Sequence, residues 1–266
     1  MFMGVTAGAS ALGPLGRSGE PVAELFPGSS ALASSLPFEP VQGPMPVFSG
    51  GIPQSKQAQQ FGQYAVRDDL VLPSGYTYDV IGAWGDPLGD SRFGYNNDYL
   101  SFVETAPGEG YLTINFEYIS EATWMASYPE VIGRNLPLED IQAAIETAGE
   151  AGIDVAELPD SNRLKAQLLE LGKEALTDVG IGVIAIRRTE SGAWERIFSE
   201  GDRRISGISG LTDGRYLTAT GAAIAVFTKA SGQGYIDDLG DKIIGTFNNC
   251  AGGTTPWGTV MSAEEN

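Results

Sequence analysis

Residues 110–117 read GYLTINFE, with Leu112, Ile114 and Phe116 alternating with Thr113, Asn115 and Glu117. A period of two is the signature of a strand with one apolar and one polar face. Stretches that read as strands recur along the chain. YTYDVIGAW (76–84), FGYNNDYLSFVE (93–104), IGVIAIRR (181–188), WERIF (194–198), GRYLTAT (214–220), AIAVFTKA (223–230) and KIIGTFNNC (242–250) are separated by Gly, Asp, Ser and Pro clusters. Many short strands with frequent turn signals predict an all-β sandwich, barrel or propeller rather than a parallel α/β sheet. No repeat of fixed period stands out.

The pattern changes between about residues 135 and 178. Ile141, Ala144, Ile145 and Ala148 follow helical spacing behind Pro137, Glu139 and Asp140. Leu164, Leu168, Leu171 and Ala175 do the same behind Asp160 and Ser161. The expectation is a helical insertion at about 135–178 within an otherwise all-β unit spanning 66–266, serving as a packing layer or lid. Residues 17–65 are rich in Pro, Gly, Ser and Ala and read as an extended lead-in. Residues 1–16 are apolar and uncharged, like the hydrophobic part of a secretory signal.

Which chemistry is open to such a chain is narrowed by what it lacks. There is no histidine, which removes the commonest general base and every nucleophile pair that depends on imidazole. A single cysteine, Cys250, rules out an internal disulfide. Acids outnumber bases 34 to 16, for a formal charge of −18. Such a field repels phosphate backbones and anionic lipid, so neither nucleic acid nor membrane is expected as a partner. It suits the binding of hard cations, and equally a merely soluble acidic surface.

Three places could carry chemistry. Asn96, Asn97 and Asp98 supply oxygen ligands of the kind calcium takes, or else the Asx hydrogen bonds of an ordinary turn. Asn115 and Glu117 share the polar face of their strand, which reads equally as a solvated face. The last is NNCAGGTTPWGTVMSAEEN, residues 248–266, where Cys250 precedes two glycines and a proline-fixed turn, followed by Glu264 and Glu265. Cys250 alone is as easily a small buried apolar residue. Adjacent glutamates on a strand point to opposite faces, so only one of the two would face the thiol. A thiol with a carboxylate suits iron better than calcium or magnesium alone, and no zinc-type cysteine spacing is present.

The 248–266 stretch resembles the signature of PhoX-type alkaline phosphatases, which reads close to NNCA-G-x-TPWGT-x-x-x-x-EEN. FGYNNDYLSF resembles that family's FGxNNDxxxF, and GYLTINFEY its strand ending in Asn-His-Glu. The likeness runs from about residue 70 onward, through GVIAIRRTESGAWERI and RRISG. It implies the N-terminal blades of a six-bladed β-propeller, exported by the twin-arginine route to the periplasm or the exterior. It also implies hydrolysis of phosphate monoesters at a cluster of ferric iron and calcium joined by a bridging oxo group, with metal-bound oxygen as nucleophile. Carried over by position, Cys250 and Glu265 become metal ligands, with Glu264 the alternative and Glu117 a residue near the metals. Phe116 stands where the family usually has histidine. Family members also run much longer, so the resemblance implies the N-terminal portion of a phosphatase, inactive by itself and completed by the C-terminal part of the same protein. Two other readings are a non-catalytic calcium-binding propeller scaffold and a calcium-dependent esterase or lactonase propeller. The latter would usually use a histidine pair that this chain lacks.

Overall fold

The computed structural model describes residues 69–227 and 238–265, with Lys56, Gln59 and Gly62 as isolated positions. The expected signal at 1–16 and most of the lead-in at 17–65 lie outside the described residues. The chain divides into two units, Met1–Tyr78 and Asp79–Asn266. Of the first, a turn closed by the Tyr76 N–H on the Pro73 carbonyl (3.1 Å) is described. All that follows concerns the second.

Its centre is an antiparallel sheet. Strand β3 (Asn97–Ala106) turns back into β4 (Glu109–Phe116), which pairs along its whole length with β5 (Gly180–Arg188). The outer edge of β5 is shared: β6 (Trp194–Arg196) takes one end and β7 (Arg203–Ser206) the other. Before the sheet lies the two-residue pair β1 (Pro87–Leu88) and β2 (Ser91–Arg92). After it come the pair β8 (Leu217–Thr218) and β9 (Lys242–Ile243) and a hairpin of β10 (Asn249–Thr254) and β11 (Val260–Glu264). Among the described residues no sheet closes into a barrel or propeller, so the propeller expectation rests on the resemblance alone.

Two stretches expected as strands are not. Residues 76–84 have no regular structure: Gly85 and Phe93 bond across the β1–β2 turn instead, and Gly82 sits where an added Cβ would meet the Phe93 ring at 2.6 Å. Residues 223–227 of the expected AIAVFTKA strand instead lie in a short 3-10 turn (Gly221–Ala223) and helix (Ile224–Phe227). The helical insertion also begins earlier than expected. Helix α1 (Glu121–Ile132) precedes α2 (Leu138–Ala148) and α3 (Arg163–Asp178). Pro129 lies in the last turn of α1, which ends on the left-handed Gly133 (φ 80°). The cap of α3 is Asn162, whose side chain accepts from Leu164 N–H, rather than Asp160 or Ser161.

One face of the sheet buries Ile114, Phe116, Ile184 and Ile186 with Leu88 and Phe93. Phe116 is fully buried, edge-on to Phe93 at 4.9 Å between centroids. Its ring needs glycine at two neighbours, since a Cβ at Gly94 or Gly182 would collide with it. A second cluster, Trp124, Tyr128 and Leu136 with Trp84 and Tyr95, holds the helices.

Helix α3 is seated unusually, for its most buried side chains are Glu174 and Asp178. They lie four residues apart on one helical face. Asp178 accepts from Arg92 Nε (2.5 Å) and Trp124 Nε1 (2.8 Å); Glu174 accepts from Arg92, Tyr128 and Arg134. Beside them Arg204, 4% exposed, gives all five of its N–H groups to the carbonyls of Arg92, Thr177, Val179, Ile181 and Ile205. Its guanidinium also lies over the Phe116 ring. Burial pulls its pKa down to about 9, against the pull of the Asp178 charge, which leaves it protonated at neutral pH.

Removing one member of a buried ion pair leaves the other unpaired, at a cost of about 3 kcal/mol. Asp178→Ala is therefore expected to lower urea-unfolding stability by about that amount. Burial pushes the Glu174 carboxyl up, but the hydrogen bonds from Tyr128, Arg134 and Arg92 outweigh it and hold it below its ordinary value of 4.5. A depressed carboxyl stabilises the native state above its unfolded value and ceases to as pH falls through the folded one. Stability should drop in acid, and Glu174→Gln should flatten that drop; parallel acid titrations of the two chains check it.

Candidate metal centre

β3 and the β10–β11 hairpin meet at the polar face of β4. Of the two readings of that face, as a place for chemistry or as a solvated surface, the second fails for Thr113 and Asn115, which are buried where the hairpin packs on β3 and β4. Asn115, fully buried, donates through Nδ2 to the carbonyls of Cys250 (3.0 Å) and Ala251 (3.3 Å) and accepts from Ser262 Oγ (2.9 Å). Thr254 Oγ1 hydrogen-bonds the hydroxyls of Tyr99 (3.0 Å) and Ser101 (2.5 Å). Gly252 is required here, since a Cβ would strike the Tyr99 ring. Close backbone approach is what the paired glycines of this motif provide.

Four acidic groups gather where these elements begin and end. Asp98 stands near the start of β3, Glu117 just past the end of β4, Cys250 in β10 and Glu265 just past β11. Ligand atoms of Asp98, Glu117 and Cys250 all lie within 4.8 Å of one another, a group that could hold a metal ion. Glu265 is near enough for its charge to act on both Cys250 and Glu117. Among the described residues no ion pair engages any of these carboxylates, and the charges felt by the thiol are all acidic.

The protonation states follow. A hydrogen bond to Asp98, burial, and the charges of Asp98, Glu117 and Glu265 push the Cys250 thiol from 9.0 up to about 12. Burial and the Asp98 charge also push Glu117 up, the hydrogen bond with Cys250 pulling it partly back and the Glu265 charge adding to the rise. Without a cation the cluster therefore holds a neutral thiol at pH 7.

The remaining candidates sit apart or play other parts. Glu264 accepts from Thr246 Oγ1 (2.6 Å) and the Phe247 N–H (3.4 Å), and Asn249 Nδ2 donates to Thr246 Oγ1 (2.9 Å) and Ser262 Oγ (3.1 Å). Glu264 thus secures the base of the hairpin, and adjacent Glu265 is the glutamate whose charge reaches the thiol. Asn96 is left-handed (φ 58°), its carbonyl taken by the Glu117 N–H, and Asn97 pairs with Phe116 in the sheet; their described contacts shape the loop. The Phe116 side chain is directed into the core, opposite to Asn115. Asn115 itself went unrecognised as a support of the cysteine segment, and no local signal in the sequence links the two.

A group whose folded pKa is raised stabilises the native state below its unfolded value and loses that contribution as pH rises. For Cys250 the window opens near pH 9 and runs toward 12. The metal-free chain should lose melting temperature across roughly pH 9 to 11, more steeply than Cys250→Ser, which does not titrate there. Coincident slopes would show that the acids do not surround the thiol.

The family model described as alkaline phosphatase PhoX matches residues 57–266. A solved structure, Pseudomonas fluorescens PhoX in complex with vanadate, a transition state analogue, is 28% identical over 73% of this chain and 29% of that one, with a TM-score of 0.47. The chain thus spans less than a third of the length of that relative. No curated protein matches.

Proposed function

The chain belongs to the PhoX alkaline phosphatase family, and from that premise we propose that it supplies part of an iron–calcium centre for hydrolysis of phosphate monoesters. The observation that carries this reading is the convergence of Asp98, Glu117 and Cys250, with Glu265 beside them, without a compensating base. Like charges gathered in this way repel one another, and a polyvalent cation relieves the repulsion. The donors fit the proposed ions. The thiol is a soft ligand suited to iron, and the carboxylates are the hard oxygen donors calcium takes. Cys250, Asp98, Glu117 and Glu265 are the proposed ligands, and Glu264 holds the hairpin.

A cation bound there supplies Lewis acidity, neutralising charge on a phosphoryl group. The chain's own residues prepare for it. Cys250 gives up the proton that its neighbours hold on it, so binding is accompanied by proton release and strengthens with pH. Asn115 fixes the backbone that follows the thiol through the Cys250 and Ala251 carbonyls, and Glu117 and Asp98 stand within 4.8 Å of the sulfur. Among the described residues no Lys or Arg acts on the thiol or on Glu117. Among the described residues no basic group stands at the cluster to hold the ester, and on that basis we assign the chain low turnover when isolated. We carry export to the periplasm or exterior, and completion by a C-terminal part, as elements of the same proposal.

Elemental analysis of the chain after exposure to ferric iron and calcium tests the reading. Iron should bind to the wild-type chain and be lost in Cys250→Ala, which should keep calcium. Calcium alone in the wild type would favour a non-catalytic calcium-binding scaffold. Loaded chain should hydrolyse p-nitrophenyl phosphate slowly; turnover at the level of a full-length relative would show that the ester needs no basic group beyond those described.

A further inference from the structure

The two strand pairs that carry the centre are built alike. Asn96 and Asn248 both adopt left-handed backbone, with φ of 58° and 52°. The Asn96 carbonyl accepts the Glu117 N–H (3.1 Å), and the Asn248 carbonyl accepts the Glu265 N–H (2.8 Å). The next residue in each case pairs with the one before the glutamate: Asn97 with Phe116, Asn249 with Glu264. Both ladders then slip by one residue. The following registered pairs are Leu100 with Ile114 and Gly252 with Ser262, so each β3 or β10 segment has one residue more than its partner. Asp98 and Cys250 occupy the same place in these two bulges. Of three non-glycine residues with positive φ among the described residues, two are Asn96 and Asn248; the third, Asp238, lies outside the strands.

A bulge leaves its extra residue out of the ladder and re-aims a side chain. The left-handed residue ahead of it sets where the strand enters, and asparagine tolerates that conformation where residues such as alanine resist it. We propose that Asn96 and Asn248 are positioning residues of the centre: each turn sets its bulged neighbour, Asp98 or Cys250, beside the glutamate bonded to the asparagine carbonyl. The centre is then two copies of one hairpin mouth, tied together through Asn115. One mouth offers two carboxylates, the other a thiol and a carboxylate. Its role in metal binding rests on the function proposed above; its geometry does not.

Glycine and alanine separate this role from a loss of side-chain contacts. Glycine keeps the left-handed backbone and alanine disfavours it, while both delete the amide. At Asn96 the side-chain nitrogen is buried without a partner, so the amide removed there contributes little. The test titrates the 266-residue chain with cobalt(II), following the thiolate-to-cobalt charge-transfer band, in wild type, Asn96→Gly, Asn96→Ala, Asn248→Gly and Asn248→Ala. Alanine should weaken cobalt binding by at least about fivefold and glycine by less than about twofold, as the backbone preference dictates. Amide exchange gives a readout without metal. The Glu117 N–H should lose protection in Asn96→Ala, and the Glu265 N–H in Asn248→Ala, but neither in the glycine variants. Protection of the Ile184 amide in β5 reports that each variant is folded. Alanine variants that bind as wild type, or glycine variants as impaired as alanine, overturn the proposal. If the wild type gives no cobalt–thiolate band while the exchange pattern holds, the metal reading fails and the positioning role of the two asparagines stands.

Discussion

The amide of Asn115 is the contact on which the arrangement of the site depends. It lies fully buried between two strand pairs and satisfies both ends of its side chain on the second of them. A buried amide left without partners costs about 1–3 kcal/mol, so the hairpin is held to the sheet where these bonds can form. The amide in turn depends on the register of β4. On the far side of that strand, Phe116 is fixed between Phe93 and the Arg204 guanidinium, with Gly94 and Gly182 clearing space for its ring. A one-residue slip would exchange the two faces. Core packing on one side and hairpin docking on the other therefore specify the same register.

The helices join this chain of constraints at Asp178. Its carboxylate receives Arg92 and Trp124, while its carbonyl accepts the N–H of Tyr95, immediately before the Asn96 turn. The helical layer is thus bonded to the loop that leads into Asp98. The distribution of charge is consistent with this division. Arg92 and Arg204 are drawn inward to pair with buried acids and carbonyls, and among the described residues the thiol and carboxylates of the centre have no basic partner. Because Arg92 and Arg204 are taken inward together with Glu174 and Asp178, the excess of acids over bases, 34 to 16 in the whole sequence, falls on the rest of the chain.

Strand alternation in GYLTINFE and the helical spacing of 163–178 were legible because they are local. What covers them was not. The polar face of β4 is buried by a hairpin far along the chain, and no periodicity records that. Helix α1, with Trp124 and Tyr128 four residues apart, fell outside the expected insertion; its Pro129 is tolerated because it lies in the final turn, just ahead of Gly133. For α3 the leucine spacing suggested an apolar seat, while the deepest positions are Glu174 and Asp178, whose burial depends on Arg92 and Arg134 from elsewhere. Asp98 was read as part of a turn or a calcium loop, separately from Cys250. The letters NND and NNC were visible, but their equivalence lies in backbone angles and ladder register, which residue identity alone does not express.

The hairpin that completes the centre also bears on the order in which the chain acquires structure. Asp98 and Cys250 are about 150 residues apart, and bringing them together closes a loop whose entropic cost exceeds that of any neighbouring-strand contact. The β3–β4 turn and the helices form from contacts close in sequence, whereas β10 needs a finished β4 face on which to dock. Asp98 and Glu117 come together with the β3–β4 pair itself, whereas Cys250 and Glu265 reach them only where the distant hairpin docks, so the contact that completes the centre is also the one that closes the longest loop.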